Sequence, residues 1–177
     1  MEKIGVLVGR FQILHKGHEK VINEGLKHCS TLIIFIGSSQ ESRTARNPFT
    51  YWERLQMIRT IYPNGKRVVV APLPDMTNEK DISPEWGKYV LRHIEELIDR
   101  KPDVIIYGNE ESRNDWFAPE DVEGILEIKV PRPVNAISAT EIRKELIEGN
   151  AAWFDKVDPH LADYYEFKLK PILKNIY

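Results

Sequence analysis

The chain has 177 residues, of which 42% are hydrophobic and 29% charged, a balance typical of a soluble globular protein. This length predicts a single compact unit. The formal net charge of −2 argues against a broad nucleic-acid-binding surface, and the single cysteine, Cys29, excludes an intramolecular disulfide and a thiolate metal cluster. The apolar run at residues 4–8 is too short to span a membrane. We therefore expect no nucleic-acid or membrane partner and a reducing, cytoplasmic location.

Five short apolar runs rich in β-branched residues alternate with longer amphipathic stretches along the chain. The runs cover residues 4–8, 31–37, 67–73, 103–108 and 125–130. Nearly continuous apolar runs of this kind are typical of parallel strands that are covered on both faces. The alternation of strands and helices therefore predicts an α/β fold with a Rossmann-like, doubly wound parallel sheet.

The stretches between these runs carry signals for the starts of helices. Ser83 followed by Pro84 predicts one helix start, and Thr50 with Glu53 forms a capping box that predicts another. The expected apolar stripe of the helix after Ser83 consists of Val90, Ile94, Leu97 and Ile98. Apolar and aromatic residues also recur at helical spacing near the C-terminus. We expect an α/β domain over residues 1–148 and a small helical extension of the same domain over residues 149–177.

The stretch "GRFQILHKGH", residues 9–18, follows the first predicted strand. Open parallel sheets bind ligands at the carboxyl ends of their strands, which is where this stretch lies. A helix that starts near Lys16 would direct free backbone N–H groups towards this crevice and favour a phosphate. His15 and His18 would then donate hydrogen bonds to phosphoryl oxygens.

The residues of this stretch also allow other interpretations. Two histidines at this spacing could bind zinc, but no third ligand stands at a convincing spacing. The G-x-G-x-x-G fingerprint is absent from this turn, so NAD as a redox cofactor is not expected. The stretch "NAISATEIRKEL" contains a capping box from Ser138 to Glu141, which by itself indicates only a helix start. Two such helix starts in one sheet, with histidines at one and Arg143 at the other, favour a polyphosphate clamp.

These two motifs also carry a resemblance to a known family. "HKGH" and "ISATEIR" resemble the H-x-G-H and I-S-x-T-x-x-R motifs of the nucleotidyltransferase α/β phosphodiesterase superfamily. More narrowly, "GRFQ" and "NPFTYWERLQMI" resemble archaeal-type nicotinamide-mononucleotide adenylyltransferases and the related domain of bifunctional bacterial enzymes. The likeness covers roughly residues 3–147. It implies a five-stranded sheet, a homo-oligomer, Mg²⁺ as cofactor, and transfer of AMP from ATP to nicotinamide mononucleotide, which gives NAD and pyrophosphate.

The resemblance implies three groups of site residues. The catalytic residues around the ATP phosphates would be His15, His18, Arg46 and Arg143. The other ATP-binding residues would be Gly9, Arg10, Phe11, Gly17, Gly108, Asn109, Ile137, Ser138 and Thr140. The acceptor-binding residues would be Asp75, Asn78 and Trp86, with Trp86 stacked on the nicotinamide ring. No protein side chain is expected to bind the metal, because phosphates and water would hold Mg²⁺.

The sequence departs from the family pattern at two places, and alternatives stay open. Ile13 replaces the proline that is usual before the first histidine, and "DMTNEKDISPEW" is longer than the common D-I-x-x-N-x-x-W spacing. Trp86 as a helix core residue is therefore an alternative to Trp86 as a ligand contact. Within the enzyme class, the alternative is an adenylyl- or cytidylyltransferase that acts on another phosphomonoester, such as nicotinate mononucleotide, phosphopantetheine or a polyol phosphate. Outside the enzyme class, the alternative is a module that senses nucleotides without turnover.

Overall fold

Five parallel strands form a single sheet in the computed structural model, which describes residues 2–63, 67–76, 83–108, 116–133 and 135–177. The strands are β1 Ile4–Gly9, β2 Thr31–Gly37, β3 Val68–Leu73, β4 Val104–Tyr107 and β5 Leu126–Lys129. Their spatial order is β3-β2-β1-β4-β5, so the direction of winding reverses between β1 and β4. The predicted Rossmann-like α/β fold is confirmed. The reversal point is where sheets of this kind bind ligands.

The helices start at the predicted capping residues. The four longer helices are α1 Lys16–Leu26, α2 Tyr51–Ile61, α3 Pro84–Ile98 and α4 Ala139–Glu148. The hydroxyl oxygens of Thr50, Ser83 and Ser138 each accept a hydrogen bond from a backbone N–H of the following first turn, at 3.1 to 3.4 Å. Each bond satisfies one of the N–H groups that a helix start leaves without an intrahelical partner.

The sheet separates two apolar cores, because successive residues of a strand point to opposite faces. Leu7, Ile34 and Ile106 belong to the larger core, which also contains residues of α1, α2 and α4. Val6 and Ile105 belong to the smaller core, together with residues of α3. Burial of each such aliphatic side chain contributes about 1.5–3 kcal/mol. The two cores thus fix the helices on both faces of the sheet and set where their N-termini lie.

The chain after α4 adds helical segments to the larger core. These segments are short helical turns at Ala151–Lys156 and Pro159–Leu161, then α5 Ala162–Tyr164, a π-helical turn Tyr165–Leu169, and α6 Lys170–Ile176. Side chains from these segments, such as Trp153, Leu161 and Leu173, lie in the larger core. The expected C-terminal helical segment is confirmed. Its separation from the α/β domain at residue 148 stays a prediction.

Two details of the predicted burial are wrong. The two edge strands are not covered on both faces: Leu126 in β5 is 54% exposed, with most of that strand, and Val69 in β3 is 40% exposed. An edge strand has a neighbour on one side only, which leaves more of its surface to solvent. Leu97 is 48% exposed, because the fully buried stripe of α3 ends at Ile94, one turn before the helix itself ends.

Helix α3 approaches the segment that contains Trp116 very closely. A Cβ atom added at Gly87 would lie 1.7 Å from the carbonyl oxygen of Trp116. That partner is a backbone atom, so rotation of a side chain cannot relieve the collision. Gly25 in α1 is the matched case, because there an added Cβ would meet side-chain atoms, those of Ile106 at 3.2 Å and of Leu32 at 3.5 Å.

We expect Gly87→Ala to lower the free energy of unfolding by more than about 2 kcal/mol, since the backbone must shift to admit the methyl group. Alanine is intrinsically better than glycine in a helix by about 1 kcal/mol, so helix propensity alone predicts the opposite sign. Urea unfolding of both variants checks this, and Gly25→Ala should change stability much less. A Gly87→Ala variant as stable as the wild type would contradict the close approach.

Candidate functional site

His15 and His18 cap the start of α1 reciprocally. The Nδ1 atom of His15 accepts hydrogen bonds from the backbone N–H groups of Gly17 at 3.0 Å and His18 at 3.4 Å. In return, Nδ1 of His18 accepts from the backbone N–H of His15 at 3.2 Å. The two rings stack with their centroids 3.8 Å apart. The pair therefore replaces the usual Ser/Thr–Glu capping box with two imidazoles.

This cap determines the protonation of both rings. Because each Nδ1 is an acceptor, each neutral ring carries its proton on Nε2. Burial lowers the pKa of His15 to about 4, with a further contribution from the charge of Arg132. Burial, and then the neighbouring His15, lower the pKa of His18 well below 6.5. At neutral pH both histidines are therefore uncharged, and each has one Nε2–H left to donate.

Gly17 is required by the cap itself. A Cβ atom at this position would lie 2.8 to 2.9 Å from the ring of His15, so a larger residue would push that ring away from the backbone N–H groups. The glycine of the H-x-G-H pattern thus has a structural reason in addition to the expected close approach of a ligand.

The loop between β1 and α1 has an unusual backbone. Phe11 has a φ of 52° and Ile13 a φ of 150°, values that are rare for residues other than glycine. Both side chains are buried, and Tyr165 donates a hydrogen bond of 2.6 Å from its hydroxyl to the carbonyl oxygen of Leu14. Proline cannot adopt the φ of Ile13, because its ring fixes φ near −65°. The residue that replaces the usual proline therefore has a backbone conformation that proline could not adopt.

Gln12 and Asn47 join this loop to the loop that precedes α2. The side-chain oxygen of Gln12 accepts from the backbone N–H of Phe49 at 3.0 Å. Arg10 donates from one nitrogen to Oδ1 of Asn47 at 3.0 Å and to the carbonyl oxygen of Arg46 at 3.2 Å. The predicted ATP-binding residues Arg10 and Arg46 are thus brought together at the carboxyl end of β1, although they lie 36 positions apart.

Arg54 is a buried cation that the sequence analysis missed. Its guanidinium donates to the carbonyl oxygens of Arg10 at 3.0 Å, Gly37 at 2.7 Å and Ser38 at 3.1 Å. Burial, followed by the charge of Arg10, lowers its pKa to about 10. Arg54 therefore stays charged and ties the carboxyl ends of β1 and β2 together. The available signal was its position beside Met57 and Ile58 on the buried face of an amphipathic helix.

Arg143 lies in the first turns of α4 and points at the same loop. Its side chain is 6% exposed and donates to the carbonyl oxygen of Gln12 at 2.9 Å, while its Nε is buried and has no hydrogen-bond partner in the described part of the chain. Burial lowers its pKa, and the nearby Tyr177 side chain opposes this. Of the other predicted residues at this helix start, Ser138 is the N-cap, Ile137 is half-buried and Thr140 is exposed. The Arg143 side chain of α4 therefore reaches the same stretch, residues 9–18, that carries the two histidines.

Asp75 follows β3 by two residues and contacts the loop that follows β2. One carboxylate oxygen accepts from the Ser38 hydroxyl and the other from the Gln40 amide, each at 2.9 Å. Gln40 in turn accepts from the Asp75 backbone N–H at 3.1 Å. A surface cleft of about 290 Å³ adjoins this cluster, lined by Ser39, Gln40, Tyr51, Trp52 and Pro72.

Trp86 lies in the smaller core, 6% exposed, in the first turn of α3. Its ring contacts Tyr89 with centroids 5.2 Å apart and meets Trp116 edge-on at 6.0 Å. Its Nε1 is buried without a hydrogen-bond partner. Gly108 follows β4, and an added Cβ there would touch Val21 of α1 at 3.1 Å. The predicted residues Asn78 and Asn109 lie outside the described residues.

Within the described ranges, no group of three or more His, Cys, Asp or Glu side chains could hold a metal ion. In the same ranges, no helix is long and apolar enough to cross a membrane.

Comparison with known proteins identifies relatives over most of the chain. The cytidylyltransferase-like family model matches residues 6–145. The nicotinamide-nucleotide adenylyltransferases of Thermococcus onnurineus and Pyrococcus furiosus are both 35% identical to this chain over 167 residues, which is 82% of each relative and 93% and 92% of this chain. That of Pyrococcus abyssi is 35% identical over 176 residues, which is 97% of this chain and 88% of the relative.

A solved structure shows the same fold. The bifunctional NMN adenylyltransferase/ADP ribose pyrophosphatase from Francisella tularensis, complexed with AMP and a manganese ion, superposes with a TM-score of 0.73 at 23% identity. The match covers 99% of this chain and 52% of the other, so this chain spans about half the length of that protein. On the strength of the family model and the archaeal relatives, the chain belongs to the cytidylyltransferase-like family and, within it, to the nicotinamide-nucleotide adenylyltransferases.

Proposed function

We propose that this protein transfers AMP from Mg-ATP to nicotinamide mononucleotide, giving NAD and pyrophosphate. The observation that carries the proposal is the pair of neutral imidazoles, His15 and His18, at the start of α1. Each has its Nδ1 occupied by the backbone and its Nε2–H left for a ligand. The buried guanidinium of Arg143 donates to the same loop. Neutral donors, a cation and a helix N-terminus together suit a polyphosphate.

The reaction needs alignment and charge stabilisation more than acid–base chemistry. An oxygen of the 5′-phosphate of nicotinamide mononucleotide attacks the α-phosphorus of ATP, and the bond from that phosphorus to the β-phosphate oxygen breaks. The phosphate dianion is already a competent nucleophile, so no general base is required. In our proposal, the histidine Nε2–H groups and Arg143 stabilise charge on the phosphoryl oxygens as it shifts. Arg10 and Arg46 hold the triphosphate in line.

We propose that Mg²⁺ enters as part of the Mg-ATP substrate. Magnesium usually keeps several waters and binds through substrate phosphates, with few protein ligands. The described residues fit this pattern, because they offer cations and N–H donors to the phosphates and no cluster of metal-binding side chains. The metal would add positive charge at the β- and γ-phosphates.

On the ATP side, we propose that the phosphates contact Gly9, Phe11, Gly17, Ser138 and Thr140, and that the adenosine lies near Gly108, Asn109 and Ile137. On the acceptor side, we propose Asp75, Asn78 and Trp86. The buried Nε1 of Trp86 has no hydrogen-bond partner among the described residues, which supports a ligand contact for this ring. A homo-oligomer and a cytoplasmic location remain part of the proposal.

Incubation with Mg-ATP and a panel of phosphorylated acceptors tests the reaction, with pyrophosphate release as the readout. We expect kcat/KM to be highest for nicotinamide mononucleotide. The panel also contains nicotinate mononucleotide, phosphopantetheine and a polyol phosphate. A preference for the nicotinate form would overturn the proposed acceptor. Binding of ATP without pyrophosphate release for any acceptor would favour a nucleotide-sensing module.

Substitutions of His15 separate its capping role from its proposed catalytic role. His15→Ala removes both the cap and the Nε2–H donor, so we expect a loss of about 0.5–2 kcal/mol in the free energy of unfolding. We expect kcat to fall about 10²- to 10³-fold, as for the loss of one donor to transition-state charge. Asparagine is among the best N-cap residues. His15→Asn should therefore recover most of the stability and little of the activity.

Urea unfolding and steady-state kinetics of both variants provide the measurement. Recovery of activity in His15→Asn would assign His15 to the cap alone and remove it from the proposed mechanism.

The lowered histidine pKa values predict how stability depends on pH. Between about pH 4 and 6.5, the unfolded chain binds protons at His15 and His18 that the folded chain does not bind. The free energy of unfolding contributed by these groups is therefore fully present above pH 6.5 and decreases as pH falls towards 4. Unfolding in urea at pH 7 and pH 4.5 measures this loss. The loss should be smaller in His15→Asn, and an equal loss in both proteins would contradict the lowered pKa of His15.

A further inference from the structure

Tyr177, which follows α6, reaches the edge of the candidate phosphate site. Its hydroxyl donates a hydrogen bond of 2.9 Å to the carbonyl oxygen of Ala45. The same side chain lies close enough to the guanidinium of Arg143 to raise the pKa of that group. Ala45 directly precedes Arg46. The bond from Tyr177 to the Ala45 carbonyl connects residues that lie 132 positions apart in the chain.

The two groups near the Tyr177 hydroxyl, the Ala45 carbonyl and the Arg143 guanidinium, come from different elements of the site. The segment with Ala45 and Arg46 is tied to the end of β1 by the bond from Arg10 to the carbonyl oxygen of Arg46. Arg143 comes from α4 and is tied to the carbonyl oxygen of Gln12. A phenol hydroxyl can donate one hydrogen bond and accept others. It can therefore donate to the Ala45 carbonyl and still present oxygen lone pairs to the nearby guanidinium.

The contribution of Tyr177 to the hydrophobic core is small. Its side chain is 60% exposed, whereas Leu169 and Leu173 are fully buried and hold the end of the chain in the larger core. The backbone N–H of Tyr177 also bonds to the carbonyl oxygen of Leu173 at 3.1 Å. The position of α6 therefore does not depend on the phenol hydroxyl.

From these contacts, and resting on the proposed function, we infer that Tyr177 is a positioning residue for ATP. Its hydroxyl holds the segment that carries Arg46 beside Arg143, so that both cations meet the same triphosphate. The C-terminal extension thereby contributes to nucleotide binding as well as to the core. The group that the two cations recognise is a polyphosphate. Binding of the acceptor nucleotide does not depend on this contact.

Tyr177→Phe tests the inference, because it removes the hydroxyl and keeps the ring. We expect the KM for ATP and the calorimetric Kd for Mg-ATP to rise about five- to tenfold, as for the loss of one hydrogen bond near a charged group. The KM for nicotinamide mononucleotide should change less than about twofold, within the effect of a remote change. The melting temperature should stay within about 2 °C of the wild type, since the side chain is exposed.

Tyr164→Phe is the matched control. The Tyr164 hydroxyl also comes from the C-terminal extension, but it donates to the carbonyl oxygen of Glu53 in α2, at 3.4 Å. This variant should bind Mg-ATP like the wild type. A specific effect of Tyr177→Phe therefore cannot come from the general loss of a tyrosine hydroxyl in this segment.

Three outcomes overturn the inference. The first is an unchanged Kd for Mg-ATP in Tyr177→Phe, and the second is an equal rise in the KM values of both substrates. The third is a loss of ATP affinity accompanied by a matching loss of thermal stability, which would indicate a structural role only. A wild-type protein that binds Mg-ATP but releases no pyrophosphate contradicts the proposed function instead, and the calorimetric comparison still decides the role of Tyr177.

Discussion

The reciprocal cap between His15 and His18 is the interaction on which the site depends. It satisfies backbone N–H groups at the start of α1, fixes both rings through Nδ1 and leaves both Nε2–H groups as donors. It also explains Gly17, because any larger residue would displace the His15 ring. Stability and the proposed chemistry therefore use different nitrogens of the same side chains. Burial keeps the rings uncharged at neutral pH.

The arginines around this cap have different surroundings. Arg54 is fully buried and donates hydrogen bonds to carbonyl oxygens at the ends of β1 and β2. Its contacts therefore hold the two strand ends in place. Arg143 is also buried, yet its Nε has no hydrogen-bond partner within the described ranges. A buried charged group with an unused donor is costly in the absence of a ligand. This difference supports Arg143 as the residue that meets phosphate and Arg54 as the residue that builds the loop.

The helical segment at the C-terminus supports the same site through two tyrosine side chains. Tyr165 is fully buried and bonds to the carbonyl oxygen of Leu14, directly before the capping histidine. Tyr177 is largely exposed and bonds to the segment before Arg46. The extension thus contacts both loops of the site, and its core residues keep it attached to the sheet.

The sequence by itself determined the order of strands and helices along the chain. Apolar runs and capping residues such as Ser83 are local signals, and their interpretation requires no knowledge of distant contacts. It also indicated His15, His18 and Arg143 through their motifs, although the roles of the individual nitrogens were not visible. Only the tertiary structure decided which residues hold the site together. Arg54 and Tyr177 act on backbone carbonyls far away in the chain, and every residue offers the same carbonyl group. A sequence pattern therefore cannot show which carbonyl a donor reaches until the chain has folded.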